Sequence, residues 1–171
     1  AVLPASTTWT SVTYGAGKFV AVASGGTQAA YSINYGLTWV TAALPSSTNW
    51  KSVEFGNNRF VAVSSTSGTA AAFSLDGITW VASTIISAAY LSVAYGQGTF
   101  VAVGAGTTAA SSPDGVVWTS RTISTSNSVA VVFGNTNRIG KFVTISNSCA
   151  SNVSVITAST RARARAQVAN G

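Results

Sequence analysis

Three carboxylates make up the whole acidic inventory of this 171-residue chain: Glu54, Asp76 and Asp114. Histidine is absent, and Cys149 is the single cysteine. Cleaving a glycosidic bond by the two-carboxylate route needs an acid and a base or nucleophile placed on either side of one sugar bond. Asp76 and Asp114 each stand in an S-x-D-G-x-x-W run, where the carboxylate is expected to hold a turn, so Glu54 is left alone on its strand. Without an imidazole to act as base, no serine has a plausible activating partner. A Cys/His zinc site is excluded by count, and a calcium site wants more clustered carboxylate oxygens than this chain can gather. The inventory predicts a protein that is not an enzyme and carries no metal or cofactor. Cys149 is read as a small buried hydrophobe.

The aromatic residues offer a different chemistry. Trp9, Trp50 and Tyr90, with Tyr14, Phe55 and Tyr95, recur at even spacing. Exposed, they would form a ring able to stack on sugars or on a partner; buried, they would be core between neighbouring sheets. Arg161, Arg163 and Arg165 alternate with alanines, so an extended backbone would put three guanidinium groups on one face. That face suits acidic groups of a partner subunit, and the plainer reading is a solvated linker. The net charge is +6, and those three arginines carry half of it. The remainder is too weakly basic for a nucleic-acid footprint. No apolar run approaches the roughly 18–20 residues of a membrane helix.

These residues are placed by a repeat. Tyr14-Gly15-Ala16-Gly17-Lys18-Phe19-Val20-Ala21-Val22 returns as Phe55-Gly56-Asn57-Asn58-Arg59-Phe60-Val61-Ala62-Val63 and as Tyr95-Gly96-Gln97-Gly98-Thr99-Phe100-Val101-Ala102-Val103. A worn fourth copy runs from Phe133-Gly134 to Lys141-Phe142-Val143-Thr144-Ile145. Gly15, Gly56, Gly96 and Gly134 lie 41, 40 and 38 residues apart. Each copy reads as strand, Gly-centred tight turn, strand. In the first repeat the strands are expected at residues 9–14, 18–23, 29–32 and 37–42. A period near 40 with four short strands per unit is the signature of a β-propeller blade. Phe19-Val20-Ala21-Val22 is apolar at consecutive positions, which predicts burial on both faces, as between two blades.

The expected fold is therefore all-β, a four-repeat β-propeller over residues 1–160, with repeats at about 5–45, 46–86, 87–124 and 125–160, and a basic arm at 161–171. The fourth repeat lacks a closing G-x-T-W strand, and residues 1–4 resemble the tail of one. Residues 1–4 are thus expected to complete the fourth blade and close the ring. The alternative is an open arc completed by another copy or another domain. The abrupt start and finish point to a processed product or an excerpt of a longer polypeptide. Charged residues are only 7% of the chain, which predicts a surface packed against other subunits of one assembly.

Ser32-Ile33-Asn34-Tyr35-Gly36-Leu37-Thr38-Trp39 resembles the Asp-box of sialidase-like propellers, with Asn34 in the aspartate's place. Ser74-Leu75-Asp76-Gly77-Ile78-Thr79-Trp80 and Ser112-Pro113-Asp114-Gly115-Val116-Val117-Trp118 resemble its shortened form. The resemblance implies a fold element remote from catalysis, and the arginine cluster and Tyr/Glu pair of sialidase chemistry have no counterpart here. The whole unit, W-x-S-V-x-Y-G-x-G-x-F-V-A-V-G onward, is similar to the repeat of photosystem II assembly-factor-like propellers and their bacterial and phage relatives. The tail from Ile156 to Gly171 resembles segments that link β-modules in large virion proteins of tailed phages. These resemblances imply a non-enzymatic structural or adsorption module of a phage particle, located in the virion, whose partners are neighbouring subunits and a host-surface glycan or protein. The competing expectation is a soluble binding propeller, extracellular or in the thylakoid lumen, that serves a photosynthetic complex or binds glycans.

Overall fold

The computed structural model describes residues 2–124, 127–136, 139–147 and 153–157. All regular structure among them is β-strand, with no helix and so none long and apolar enough to cross a membrane. Strands β1 (Thr8–Gly15), β2 (Lys18–Ser32), β3 (Val40–Gly56), β4 (Arg59–Ser64), β5 (Gly68–Ser74) and β6 (Val81–Ala88) form one antiparallel succession. A second sheet holds β7 (Tyr90–Gly96), β8 (Thr99–Gly104), β9 (Thr108–Ser112) and β10 (Thr119–Thr122). A third holds β11 (Ser128–Thr136), β12 (Ile139–Ser146) and β13 (Val153–Thr157).

One hairpin recurs through all three. Gly15 pairs with Lys18, Gly56 with Arg59, Gly96 with Thr99 and Gly134 with Lys141. In the first three the connecting pairs, Ala16-Gly17, Asn57-Asn58 and Gln97-Gly98, all have positive φ, from 46° to 76°. Two consecutive positive φ values make a type I′ turn, whose twist matches that of the flanking strands. The repeated glycine therefore ends the strand and is not the centre of the turn, contrary to the sequence reading.

Two strand boundaries also differ from expectation. The strands expected at 18–23 and 29–32 are one element, β2, which doubles back near Gly25 (φ 85°) and brings the Lys18 ammonium within 5.8 Å of the Tyr31 ring centroid. The strand expected at 37–42 begins at Val40 and runs on to Gly56, because β3 pairs first with β2 (Tyr31 opposite Val40) and then with β4 (Trp50 opposite Ser64). One continuous strand thus serves two hairpins, and the six-strand succession results. Residues 2–7 lie in no strand, and β13 has no further neighbour among the described residues. Of the expected pairing of residues 1–4 with the fourth repeat, residues 2–4 therefore show none among the described residues, and residue 1 lies outside them.

The core lies between successive repeats. Val20, Val22 and Ala29 of the first repeat pack with Trp50, Val53, Phe60 and Trp80 of the second. Val61, Val63 and Ala71 pack with Tyr90, Val93, Phe100 and Trp118 of the third. Val101, Val103 and Ala109 pack with Val131 and Phe142 of the fourth. Val20, Ala21 and Val22 are buried, as consecutive apolar residues between two sheets should be.

Candidate functional site

The three S-x-D/N turns sit between the third and outer strands of their repeats, and the Oδ1 of each Asp or Asn is satisfied within its own turn. Asp76 Oδ1 accepts from Ile78 N at 2.8 Å, Thr79 N at 2.7 Å and Ser74 Oγ at 2.9 Å. Asp114 Oδ1 accepts from Val116 N at 2.9 Å, Val117 N at 3.1 Å and Ser112 Oγ at 3.0 Å. Asn34 Oδ1 does the same for Thr38 N at 2.9 Å and Ser32 Oγ at 3.0 Å. Gly36, Gly77 and Gly115 have φ of 80°, 71° and 70°, where a side chain would be strained. Each serine in turn accepts from the glycine N–H, at 2.9, 2.8 and 2.8 Å. Trp39 and Trp118 donate Nε1 to the carbonyl of Gly36 and Gly115, both at 3.1 Å, while Trp80 Nε1 is buried without a partner among the described residues.

Desolvation raises the Asp76 carboxyl, but the N–H groups of Thr79 and Ile78 and the Ser74 and Thr79 hydroxyls together outweigh it, lowering the pKa to about 2. Asp114 is lowered by the same balance, with the Arg59 charge adding to the N–H groups of Val116 and Val117. A carboxylate with a depressed folded pKa stabilises fully above its ordinary value and loses that contribution as pH falls through the folded one. For Asp76 the window runs from 3.8 down to about 2. Asp76→Asn is expected to keep the turn at pH 7, within about 0.5 kcal/mol, because Asn34 already makes these bonds in the first repeat. The same variant should lose part of the wild-type stability slope across that acid window, read by denaturation at stepped pH.

Glu54 is the remaining carboxylate, half-buried on β3, with its pKa raised by burial and partly offset by the Phe55 N–H. Among the described residues no three His, Cys, Asp or Glu side chains gather to hold a metal. Cys149, Arg161, Arg163 and Arg165 lie outside the described residues.

Of the two readings of the recurring aromatics, burial between repeats describes Trp50 and Tyr90, which are fully buried, while Phe55 and Tyr95 are half-buried. Trp9 is half-exposed and Tyr14 exposed on the first repeat. Trp9, Trp50 and Tyr90 each sit on the first strand beside a bulge that skips one residue (Thr10, Lys51, Leu91), and the side chains of Trp50 and Tyr90 lie in the seam with the preceding repeat. Trp9 and Trp50 donate Nε1 to the carbonyls of Ala5 and Ser46 at 3.2 and 3.0 Å. Tyr90 stands where a tryptophan would, and its hydroxyl is buried with no partner among the described residues, its pKa pushed up by desolvation to about 12. Tyr90→Phe is accordingly expected to raise stability by about 1 kcal/mol near neutrality. A raised folded pKa gives stability that is complete below the ordinary value and lost as pH rises through the folded one. Wild type should therefore weaken between pH 10 and about 12 through this group, and Tyr90→Phe should not. Alkaline unfolding curves of the two proteins give the comparison.

Three contacts that the sequence reading missed tie the repeats together. The serine after each bulge accepts from the next repeat's first strand: Ser11 from Val53 N at 3.1 Å, Ser52 from Val93 N at 3.2 Å, Ser92 from Val131 N at 3.1 Å. The hairpin cation reaches the next turn, Lys18 Nζ donating to the Asp76 carbonyl at 2.7 Å and Arg59 to the Asp114 carbonyl at 2.8 Å. A methyl group built on Gly15, Gly56 or Gly96 would collide with the ring of Phe55, Tyr95 or Phe133. The signal for all three was the spacing of W-x-S-V, K/R-F and aromatic-Gly at one period, which marks what neighbouring repeats exchange.

No protein family and no curated protein sequence matches this chain. Solved structures do. The computationally designed Ika4 protein is similar over 92% of this chain and 96% of its own, with a TM-score of 0.69 and 13% identity. The designed Ika8 protein is similar over 91% of this chain but 48% of its own, with a TM-score of 0.63 and 13% identity. YCF48 from Cyanidioschyzon merolae is similar over 94% of this chain and 59% of its own, with a TM-score of 0.65 and 16% identity. The likeness is one of fold, that of the β-propellers, and the chain spans between about half and three fifths of the two larger structures.

Proposed function

We propose that this chain is a non-enzymatic module of a phage particle, structural or adsorptive, working through protein–protein contacts. In this reading it is a four-repeat propeller arc with turns of the Asp-box type, and the arginine arm at 161–165 connects it to a neighbouring module. The observation that carries the reading is the use made of the carboxylates. Both turn aspartates spend Oδ1 on the backbone of their own turns, and among the described residues no three His, Cys, Asp or Glu side chains gather. A chain with only 7% charged residues supports burial in an assembly more than free circulation at high concentration. Glycan recognition by an aromatic ring loses its ground, because Trp50 and Tyr90 are inside. Service to a photosynthetic complex has the fold likeness to YCF48 on its side, at 16% identity.

The test is the mass of the chain as it exists in its source, denatured and native, together with its sedimentation. A subunit far larger than 17.3 kDa, or this chain cosedimenting with particles, supports the reading. A free 17.3 kDa protein in the soluble fraction overturns it.

A further inference from the structure

Every seam in the molecule joins two unlike faces. The leading face of one repeat carries the glycine socket and the valines of its second strand. The trailing face of the next carries the aromatic that fills the socket, the first-strand valine and the tryptophan. Three seams leave one trailing face on the first repeat and one leading face on the fourth.

Both are bare, and each lacks what the other offers. On the first repeat, Val12 is 58% exposed and Tyr14 56%, whereas Val53, Val93 and Val131 in the same register are at most 4% exposed. A cavity of about 310 Å³ opens beside Val12, between Trp9 and Trp39. On the fourth repeat, Gly134 is exposed and nothing among the described residues lies within 4 Å of where a side chain would begin, unlike buried Gly15, Gly56 and Gly96. Ile145 is 50% exposed where Val22, Val63 and Val103 are fully buried. Lys141 is exposed at the place from which Lys18 and Arg59 reach the next turn's carbonyl.

We infer that these half-seams meet between two copies of the chain. The Tyr14 ring of one copy seats on Gly134 of the other, Ile145 enters the cavity beside Trp9, and Lys141 points to the carbonyl of Asn34. This rests on the reading that the module acts through protein contacts, and it names the partner as a second copy. The curvature favours a copy over self-closure. The chain overlays 91% of its length on 48% of the designed Ika8 protein, so its four repeats follow the course of half a larger structure and keep their end faces apart. Two arcs related by a two-fold axis close both seams at once, with no change in either.

The test is the solution mass of the purified 171-residue chain over a range of concentrations, by light scattering or sedimentation. A species of twice 17.3 kDa is expected. Gly134→Val adds a Cβ that meets nothing among the described residues of the single chain, and it should weaken association at least tenfold with an unchanged circular dichroism spectrum. Tyr14→Ala should act likewise, and Val40→Thr, on an exposed outer strand, should not. A monomer at every concentration overturns the inference, as does a dimer indifferent to both Gly134→Val and Tyr14→Ala. The measurement uses the isolated chain, so its outcome is separate from whether the source carries the chain in particles.

Discussion

Gly56→Val is expected to destabilise the chain by about 3–5 kcal/mol, enough to unfold much of a marginal domain at 25 °C. The backbone at Gly56 is not in the left-handed region, so strain in φ is not the cause. The damage is steric: the Tyr95 ring occupies the space where the added atoms must go, and it stacks in turn on Phe100 at 4.7 Å between ring centroids. Displacing that ring opens the seam between the second and third repeats. Urea denaturation of wild type and variant measures the loss. Gly134→Val supplies the control, expected within about 0.5 kcal/mol at concentrations where the chain is monomeric, since nothing among the described residues stands in its way. Equal losses at the two glycines would mean that turn geometry, and not the seated aromatic, explains the repeated glycine. The double variant Gly56→Val/Tyr95→Ala should cost less than the sum of its parts, because removing the ring empties the socket.

Trp50→Ala is expected to cost about 3–5 kcal/mol. Its indole is fully buried among Val20, Val22, Leu44 and Trp80, and it also ties Nε1 to the Ser46 carbonyl at 3.0 Å. Truncation leaves a cavity in a seam made of rigid strands, which cannot collapse to fill it, and removes the bond to the Ser46 carbonyl. Trp9→Ala removes the same side chain from the same register, yet Trp9 is half-exposed and faces an open cavity. Its cost should be about 1–2 kcal/mol, so the ratio of the two losses reads out the burial of one register in two surroundings. Comparable losses at Trp9 and Trp50 in dilute monomer would show that the first repeat's face is covered from within the chain.

The all-β class and the period of the fold were legible because the hairpin motif repeats nearly letter for letter, and Phe-Val-Ala-Val can be apolar at consecutive positions only between two layers. The turn aspartates were legible for a local reason: their partners lie within three residues, inside one motif. What stayed hidden depended on neighbours about 40 residues away. Gly15 looked like a turn residue until the Phe55 ring was seen against it. Ser11 looked like generic strand polarity until it met Val53 N. The recurring aromatics could be read two ways, as an exposed ring or as core, because a one-residue bulge, invisible in composition, accompanies the burial of Trp50 in the seam. The continuity of β3 was missed because Pro45, Ser46 and Ser47 read as a connection.

The passage of β3 from one sheet into the next has a consequence for how the chain acquires its structure. Since each layer of core needs only two adjacent repeats, contacts stay near one repeat length in sequence, and order can spread from any nucleus to its neighbour. The first two repeats share an unbroken strand, so they should gain and lose protection from hydrogen exchange together. The fourth, holding on through a single junction, should exchange first. A ribosome releasing this chain would thus deliver a two-repeat foldon before the rest is made, and later repeats would be added to it as bricks to a course already laid.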